Sequence, residues 1–183
     1  LYVPKMFTKE DIANFHSLIH TLYGIFDKVI SQYRKDASYR SLFGFEKELE
    51  DLILRKMRYK SRIPIARIDI FYDEETKDFK FCEFNTDGSS AMNEDRELNH
   101  ALKLTLGYRQ LAEKYCLETF ELFDSWAETS LRIYRETSGA KERPHVAIVD
   151  FMESATNNEF EIFAESYRKF GAECEICEIR DLR

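Results

Sequence analysis

The sequence predicts a mixed α/β fold, and three observations carry that prediction. Apolar residues recur at intervals of three and four from Ile12 to Tyr33, two runs of alternating side chains flank the polar stretch DEETKD, and a strand–helix–strand pattern spans His145 to Ile179. A chain of 183 residues can bury a real core and form one or two domains. Its character changes at Lys141-Glu142-Arg143-Pro144, which separates a helical region carrying a β-hairpin, residues 1–140, from a Rossmann-like β-α-β unit, residues 141–183, expected to be incomplete.

The first helix is expected from Thr8 to about Arg34. Thr8 can cap it with Asp11 at the third helical position, and Phe7 can staple to Ile12 across the cap. Ile12, Phe15, Ile19, Leu22, Phe26, Val29 and Tyr33 then form a stripe that reads as core. His16 and His20 lie one turn apart, a ligand spacing with no third ligand visible nearby. A second helix is expected over Phe45–Met57 with Phe45, Leu49, Leu52 and Ile53 inward. It leads into Arg55, Lys56, Arg58, Lys60 and Arg62, which read as a solvated helix end or as a rim for phosphate or an acidic substrate.

The hairpin follows. Ile65, Arg67, Asp69 and Phe71 alternate with Ala66, Ile68, Ile70 and Tyr72, and Phe79, Phe81, Glu83 and Asn85 alternate with Lys80, Cys82 and Phe84. Pairing residues whose numbers sum to 152 sets Asp69 opposite Glu83 and Arg67 opposite Asn85, a spacing at which like charges destabilise. A cation is expected there. Two carboxylates and an amide oxygen suit Mg²⁺, which takes few protein ligands and keeps waters or substrate phosphates for the rest. Arg67 would supply a planar, permanently charged donor for an anion beside that metal. A plain solvent-facing strand face, with Arg67 bridging two acids, is the alternative. Beyond Asn85 the chain runs Thr86-Asp87-Gly88-Ser89-Ser90, small and polar, where Gly88 can turn backbone amides toward an anion.

Residues Asn93 to about Tyr115 read as one helix with Leu98, Leu102, Thr105, Tyr108 and Ala112 near one stripe, capped by Asn93 or Ser90. His100 follows Arg96 by one turn and reads as a surface histidine. Another helix, Leu117–Thr137, presents Phe120, Phe123, Ala127, Leu131 and Tyr134 on one side, with Trp126 packing beside them and Gly139 as a stop. In the last unit His145–Asp150 is a strand, Thr156-Asn157-Asn158-Glu159 a capping box, Phe160, Phe163, Ala164 and Tyr167 a helix ended by Gly171, and Ala172–Ile179 a second strand. Such a unit binds ligands beyond the carboxyl ends of its strands, here Asp150 to Thr156. It lacks the glycine-rich turn of a dinucleotide site. Two parallel strands are too few to stand alone, so further strands are expected from the hairpin, a partner chain or additional sequence.

Composition removes several classes of function. With 27 basic and 34 acidic side chains the formal charge is −7, which argues against general attraction to nucleic acid or to an anionic membrane. No apolar run approaches about 18 residues and Leu1 begins no signal-peptide pattern, so neither a membrane span nor secretion is expected. Cys82, Cys116, Cys174 and Cys177 are too scattered for a disulfide scaffold, and the cytoplasm is the expected compartment. Cys174 and Cys177 lie three apart in a strand and face opposite ways, so they cannot jointly hold one zinc ion.

Arg67-Ile68-Asp69 followed by Glu83-Phe84-Asn85-Thr86-Asp87-Gly88-Ser89-Ser90 resembles the synthetase domain of glutathionylspermidine synthase and its bacterial relatives, ATP-dependent carboxylate–amine ligases of the ATP-grasp fold. The resemblance implies a three-layer α/β architecture in which a pre-ATP-grasp, Rossmann-like unit frames the substrate cleft. It implies that Arg67 contacts the phosphoryl group in transfer, that Asp69, Glu83 and Asn85 hold Mg²⁺, and that Asp87, Gly88, Ser89 and Ser90 line the substrate site. ATP would be a co-substrate, and the partners would be small carboxylate and amine substrates. The lysines and further metal-binding acid with which that family grips ATP are not identifiable here. The chain therefore reads as the N-terminal part of a longer ligase and is expected to be inactive without the remainder. Two other functions fit the same four residues: an interaction module whose acidic hairpin face meets a basic partner, and a metal-assisted phosphate-ester hydrolase.

Overall fold

In the computed structural model residues 4–86 and 90–182 are described. They form a mixed α/β structure of helices and two separate two-stranded sheets. The chain divides into two compact units, Leu1–Thr86 and Asp87–Arg183, so the change of character at residues 141–144 falls inside the second. No helix among the described residues is long and apolar enough to cross a membrane.

The first unit is built on α1 (Lys9–Lys35), whose N-terminus carries the anticipated capping box. The Asp11 amide donates to Thr8 Oγ1 at 3.2 Å, while the Thr8 amide and hydroxyl donate to Asp11 Oδ2 at 2.9 and 2.7 Å. Phe7 lies edge-on to Phe15, with ring centroids 5.3 Å apart. Leu22 and Tyr33 of the apolar stripe are buried, and Ile19 keeps 39% of its surface exposed. Asp36 ends α1 and caps α2 (Ala37–Arg40) through the amides of Ser38 and Tyr39. The expected second helix is only α3 (Lys47–Ile53). Arg34 from α1 donates to the carbonyls of Ile53, Leu54 and Arg55 at 2.6, 3.0 and 3.0 Å, and so captures the orphan acceptors at the end of α3. Phe45, Leu49 and Leu52, expected inward, are about half exposed, because so short a helix offers little face to bury. Within the basic run, Arg62 is held on α1 by Asp27 at 3.0 Å and Ser31 at 2.8 Å.

Strands β1 (Arg67–Tyr72) and β2 (Phe79–Asn85) form the antiparallel hairpin. Arg67 pairs with Asn85, Ile68 with Phe84 and Asp69 with Glu83, the anticipated register; Ile70 then pairs with Phe81, leaving Cys82 as an extra residue in β2. This bulge corrects the simple alternation read from the sequence. Phe79 and Phe81 sit opposite Tyr72 and Ile70, so they share the face of Ile68 and Phe84 rather than that of Glu83 and Asn85. That face meets α1: Phe84 lies 5.2 Å from Phe26 and Tyr72 lies 4.8 Å from Phe15, centroid to centroid. Tyr72 also donates its hydroxyl to Asp11 Oδ1 at 2.6 Å, and Lys77 reaches the same oxygen at 2.9 Å from the hairpin turn, where its φ is +64°. Asp11, 3% exposed, thus joins the helix cap to both ends of the turn.

In the second unit the single helix expected after Asn93 is two, α4 (Met92–Lys103) and α5 (Leu106–Ala112). Thr105 breaks them apart by turning its hydroxyl to accept from the Tyr108 amide at 3.1 Å, the cap of a new helix. The helix expected from Leu117 starts later, as α6 (Phe123–Arg135), where Glu121 accepts from the amides of Phe123, Asp124 and Ser125. Phe120 therefore precedes the helix and is 70% exposed. Strands β3 (His145–Asp150) and β4 (Glu173–Glu178) pair in parallel, with α7 (Asn157–Lys169) between them, as anticipated. Gly171, at φ +84°, ends α7 in the left-handed conformation that glycine takes without strain, and the Ala172 amide donates back to Tyr167. Ala127 and Leu131 of α6, Ala164 and Tyr167 of α7, and Ala172 and Cys174 make the core, with Trp126, Val146, Ile148 and Phe170 packed on it. Asp124 pins α6 to α7 by accepting from Ser166 at 2.9 Å and from Lys169. Neither hairpin strand joins this parallel pair.

The expected capping box at Thr156 and Glu159 does not form, since the Thr156 side chain caps nothing. Glu159, 4% exposed, instead accepts from the amides of Met92 and Asn93 at 3.0 and 3.2 Å and so caps α4 from 66 residues away. Ala91, at φ +74°, brings the chain into that turn, and neither Ser90 nor Asn93 is the N-cap residue.

Two predictions follow from these carboxylates. Replacing Glu159 with Ala leaves two α4 amides without their acceptor; the expected loss is about 1–3 kcal/mol in urea unfolding, with faster hydrogen exchange at Met92 and Asn93. The Lys77 ammonium, then the Tyr72 hydroxyl and Thr8, hold the Asp11 carboxyl well below the usual carboxylate range. A folded pKa below the unfolded one, near 3.9, gives stability that is fully present above about pH 5 and is lost progressively as pH falls through and below the unfolded value. The stability difference between the native chain and Asp11→Asn should accordingly be constant from pH 5 to 7 and shrink toward about pH 2 in parallel urea titrations.

Candidate functional site

The hairpin brings four of the sequence-predicted site residues onto one face. Arg67 Nε lies 3.1 Å from Asp69 Oδ1, Arg67 Nη2 lies 3.5 Å from Glu83 Oε1, and Asn85 Nδ2 donates to the same Glu83 oxygen at 3.1 Å. The cause is local. Positions 67 and 69 share a face of β1, the register sets 85 and 83 across from them, and the bulge at Cys82 begins only beyond Glu83. The opposite face packs in part against α1, through Phe84 on Phe26 and Tyr72 on Phe15, and this one is left toward solvent, with side-chain exposures of 39% for Arg67, 37% for Asp69 and 56% for Glu83.

Arg67 sits between the two acids and relieves their repulsion. Ion pairs this exposed contribute about 0–1 kcal/mol, so stability alone does not account for the cluster. One guanidinium against two carboxylates leaves a net negative charge. The acids meet Arg67 through Asp69 Oδ1 and Glu83 Oε1, and each carboxylate has a second oxygen. Two carboxylates and an amide, all oxygen donors and all reachable by water, fit a hard cation such as Mg²⁺, whose remaining positions go to water or phosphate. No group of three or more His, Cys, Asp and Glu side chains able to hold a metal occurs among the described residues, and this set, with its amide, is of a different kind.

The remaining predicted residues are distributed otherwise. Asp87, Gly88 and Ser89 lie outside the described residues, and Ser90 is exposed just before α4 in the second unit. His16 and His20 are exposed on α1. His100 is exposed, with Nδ1 3.7 Å from Glu97. Cys174 is buried, Cys177 half-buried, and burial pushes both thiols up, so neither is an activated nucleophile. A hollow of about 400 Å³ lies on the α1 side of the hairpin, lined by Phe15, Leu18, Ile25, Tyr72, Phe79 and Phe81. None of the four site residues reaches it. Sequence reasoning missed the Asp11–Tyr72–Lys77 cluster that seats the hairpin; the separation of 61 residues between Asp11 and Tyr72 leaves no local signal.

No protein-family model matches this chain, and no curated protein matches it. The site is therefore defined by its own geometry.

Because the ion pairs of Arg67 with Asp69 and Glu83 are more than a third exposed, Asp69→Ala should shift unfolding free energy by less than about 1 kcal/mol, and circular dichroism with urea titration reads it directly. A loss of several kcal/mol would make the cluster a structural element.

Proposed function

We propose that this chain is part of an ATP-dependent carboxylate–amine ligase, with a three-layer, pre-ATP-grasp architecture around the hairpin and the β-α-β unit. The observation that supports the reading most is the cross-strand set of Arg67, Asp69, Glu83 and Asn85 on the one hairpin face that α1 does not cover. The four free cysteines suit a reducing compartment, the cytoplasm.

A free carboxylate is a poor acyl donor and needs activation. In the proposed reaction a substrate carboxylate oxygen attacks the γ-phosphorus of ATP and ADP leaves. The amine then attacks the acyl carbon, phosphate departs, and the amine proton passes to solvent, giving an amide. Arg67 binds the phosphoryl oxygens with its planar fork and stabilises the charge that develops there. Asp69, Glu83 and Asn85 would hold Mg²⁺, which supplies charge neutralisation at those oxygens. Ser90 and the preceding polar residues Asp87, Gly88 and Ser89 would meet the substrate.

The Arg67 bridge itself favours a second reading. A guanidinium already placed between two acids gives an acidic face with fixed geometry, suited to docking a basic partner. A third use of the same residues is metal-assisted hydrolysis of phosphate esters.

One assay separates them. The protein carrying this chain is incubated with ATP, Mg²⁺ and pooled carboxylates and amines, with hydroxylamine replacing the amine in a parallel sample. A ligase releases ADP only with both co-substrates, yields a hydroxamate in the parallel sample, and loses at least about a hundredfold in rate on Asp69→Ala. Phosphate release from simple esters without ATP supports the hydrolase. Absence of ATP turnover, with Asp69→Ala weakening a protein complex, supports the docking face.

A further inference from the structure

Between Asp51 and Asp69 the sequence holds six basic residues and no acidic one. Five of the six, Arg55, Lys56, Arg58, Lys60 and Arg62, fall between the end of α3 and the start of β1, where the chain forms neither helix nor strand. Exposure alternates along this segment: Lys56, Arg58, Lys60 and Arg62 are exposed, while Met57, Tyr59, Ser61 and Ile63 between them are half-buried. The cations therefore share its outer side.

Both ends of the segment are fixed to α1. Arg34 holds the carbonyls of Ile53, Leu54 and Arg55, and Arg62 is held by Asp27 at 3.0 Å and by Ser31 at 2.8 Å. The acids that touch or flank it are engaged: Asp27 by Arg62, Asp51 by Lys47 at 2.5 Å, Glu50 by Arg40 and Lys47, each at 3.6 Å, and Asp69 by Arg67. The side chains of Arg55, Lys56 and Arg58 have no ion-pair or hydrogen-bond partner among the described residues. An anion laid along the outer side relieves the repulsion among them.

The composition of the two sides selects the anion. A single phosphate calls for converging donors, and these cations are strung along the chain. Single-stranded nucleic acid calls for exposed aromatic rings under its bases, and Tyr59, the one aromatic residue of the segment, is half-buried. An anionic bilayer calls for apolar side chains that enter it, and the exposed positions 56, 58, 60 and 62 carry none.

We propose that residues 55–62 are a docking surface for an acidic linear segment of a partner protein, a run of Asp and Glu that lies along the outer side and meets Arg55, Lys56 and Arg58. The anchored ends hold the segment in place beforehand, which lowers the ordering cost of binding. The surface takes a charge opposite in sign to that suited to the hairpin face, and it does not depend on the ligase reading.

Fluorescence anisotropy of the chain with a labelled polyglutamate peptide of about eight residues tests it. Binding should be saturable, and its Kd should rise at least about fivefold between about 50 and about 250 mM NaCl. Lys56→Gln with Arg58→Gln should weaken it at least about fivefold, while Lys114→Gln, which removes the same charge at an exposed site of the second unit, should change it less than about twofold. If the double variant alters the amide spectrum outside residues 55–62, Arg58→Gln alone serves the same comparison, with a loss of at least about twofold. No saturable binding, or an equal loss on Lys114→Gln, overturns the proposal. So does tighter binding of inorganic triphosphate, of an oligothymidylate or of phosphatidylserine vesicles than of the peptide, and so does dimerisation of the native chain that the double variant abolishes, since each assigns the surface to a different occupant.

Discussion

One extra residue in β2, Cys82, decides what each face of the hairpin carries. Without it, strict alternation would put Phe79 and Phe81 beside Glu83 and Asn85, and the charged face would be half aromatic. With it, Phe79, Phe81 and Phe84 turn together toward α1, and Arg67, Asp69, Glu83 and Asn85 are left as an uninterrupted polar cluster. Packing and candidate chemistry thus depend on the same irregularity. The bulge lies just past the Asp69–Glu83 pair, where it raises the local twist without disturbing the pairing of the four residues.

Carboxylates organise much of the remainder by serving backbone amides or distant side chains. Asp11 closes the α1 cap and seats the hairpin turn through Tyr72 and Lys77. Glu121 starts α6, and Glu159 starts α4 from within α7. Arg34 does the complementary work at the carboxyl end of α3. In each case a helix end whose polar groups would otherwise lack partners is completed by a charge, which is favourable at the sign of dipole found there.

Features written in neighbouring residues were legible from the sequence. The Thr8–Asp11 cap, the buried members of the α1 stripe, the pairing of Arg67 with Asn85 and of Asp69 with Glu83, and the parallel strands around α7 all follow from periodicity and local capping chemistry. What escaped was competition. Thr156 and Glu159 have the spacing of a capping box, yet α4 offers Glu159 two amides and takes it; nothing within the segment reveals that rival. The break at Thr105 is a similar contest, between continuing one helix and capping another. At the candidate site the sequence supplied the four residues and two readings of Arg67, as an anion binder and as a bridge between acids. The side-chain distances describe the bridge, and a guanidinium in that place is compatible with either role.

Because each described sheet has only two strands, every described strand is an edge, with one row of backbone donors and acceptors turned away from its partner. Such a row is a template for a further strand, from this protein or from another copy. On β4 the side chains flanking that row include Glu173, Glu175 and Glu178, and a second copy laid alongside in register would set each glutamate against its own twin. The charge pattern of β4 therefore selects what can extend the parallel sheet: a strand with basic or neutral residues at those positions is admitted, and self-association in register is discouraged.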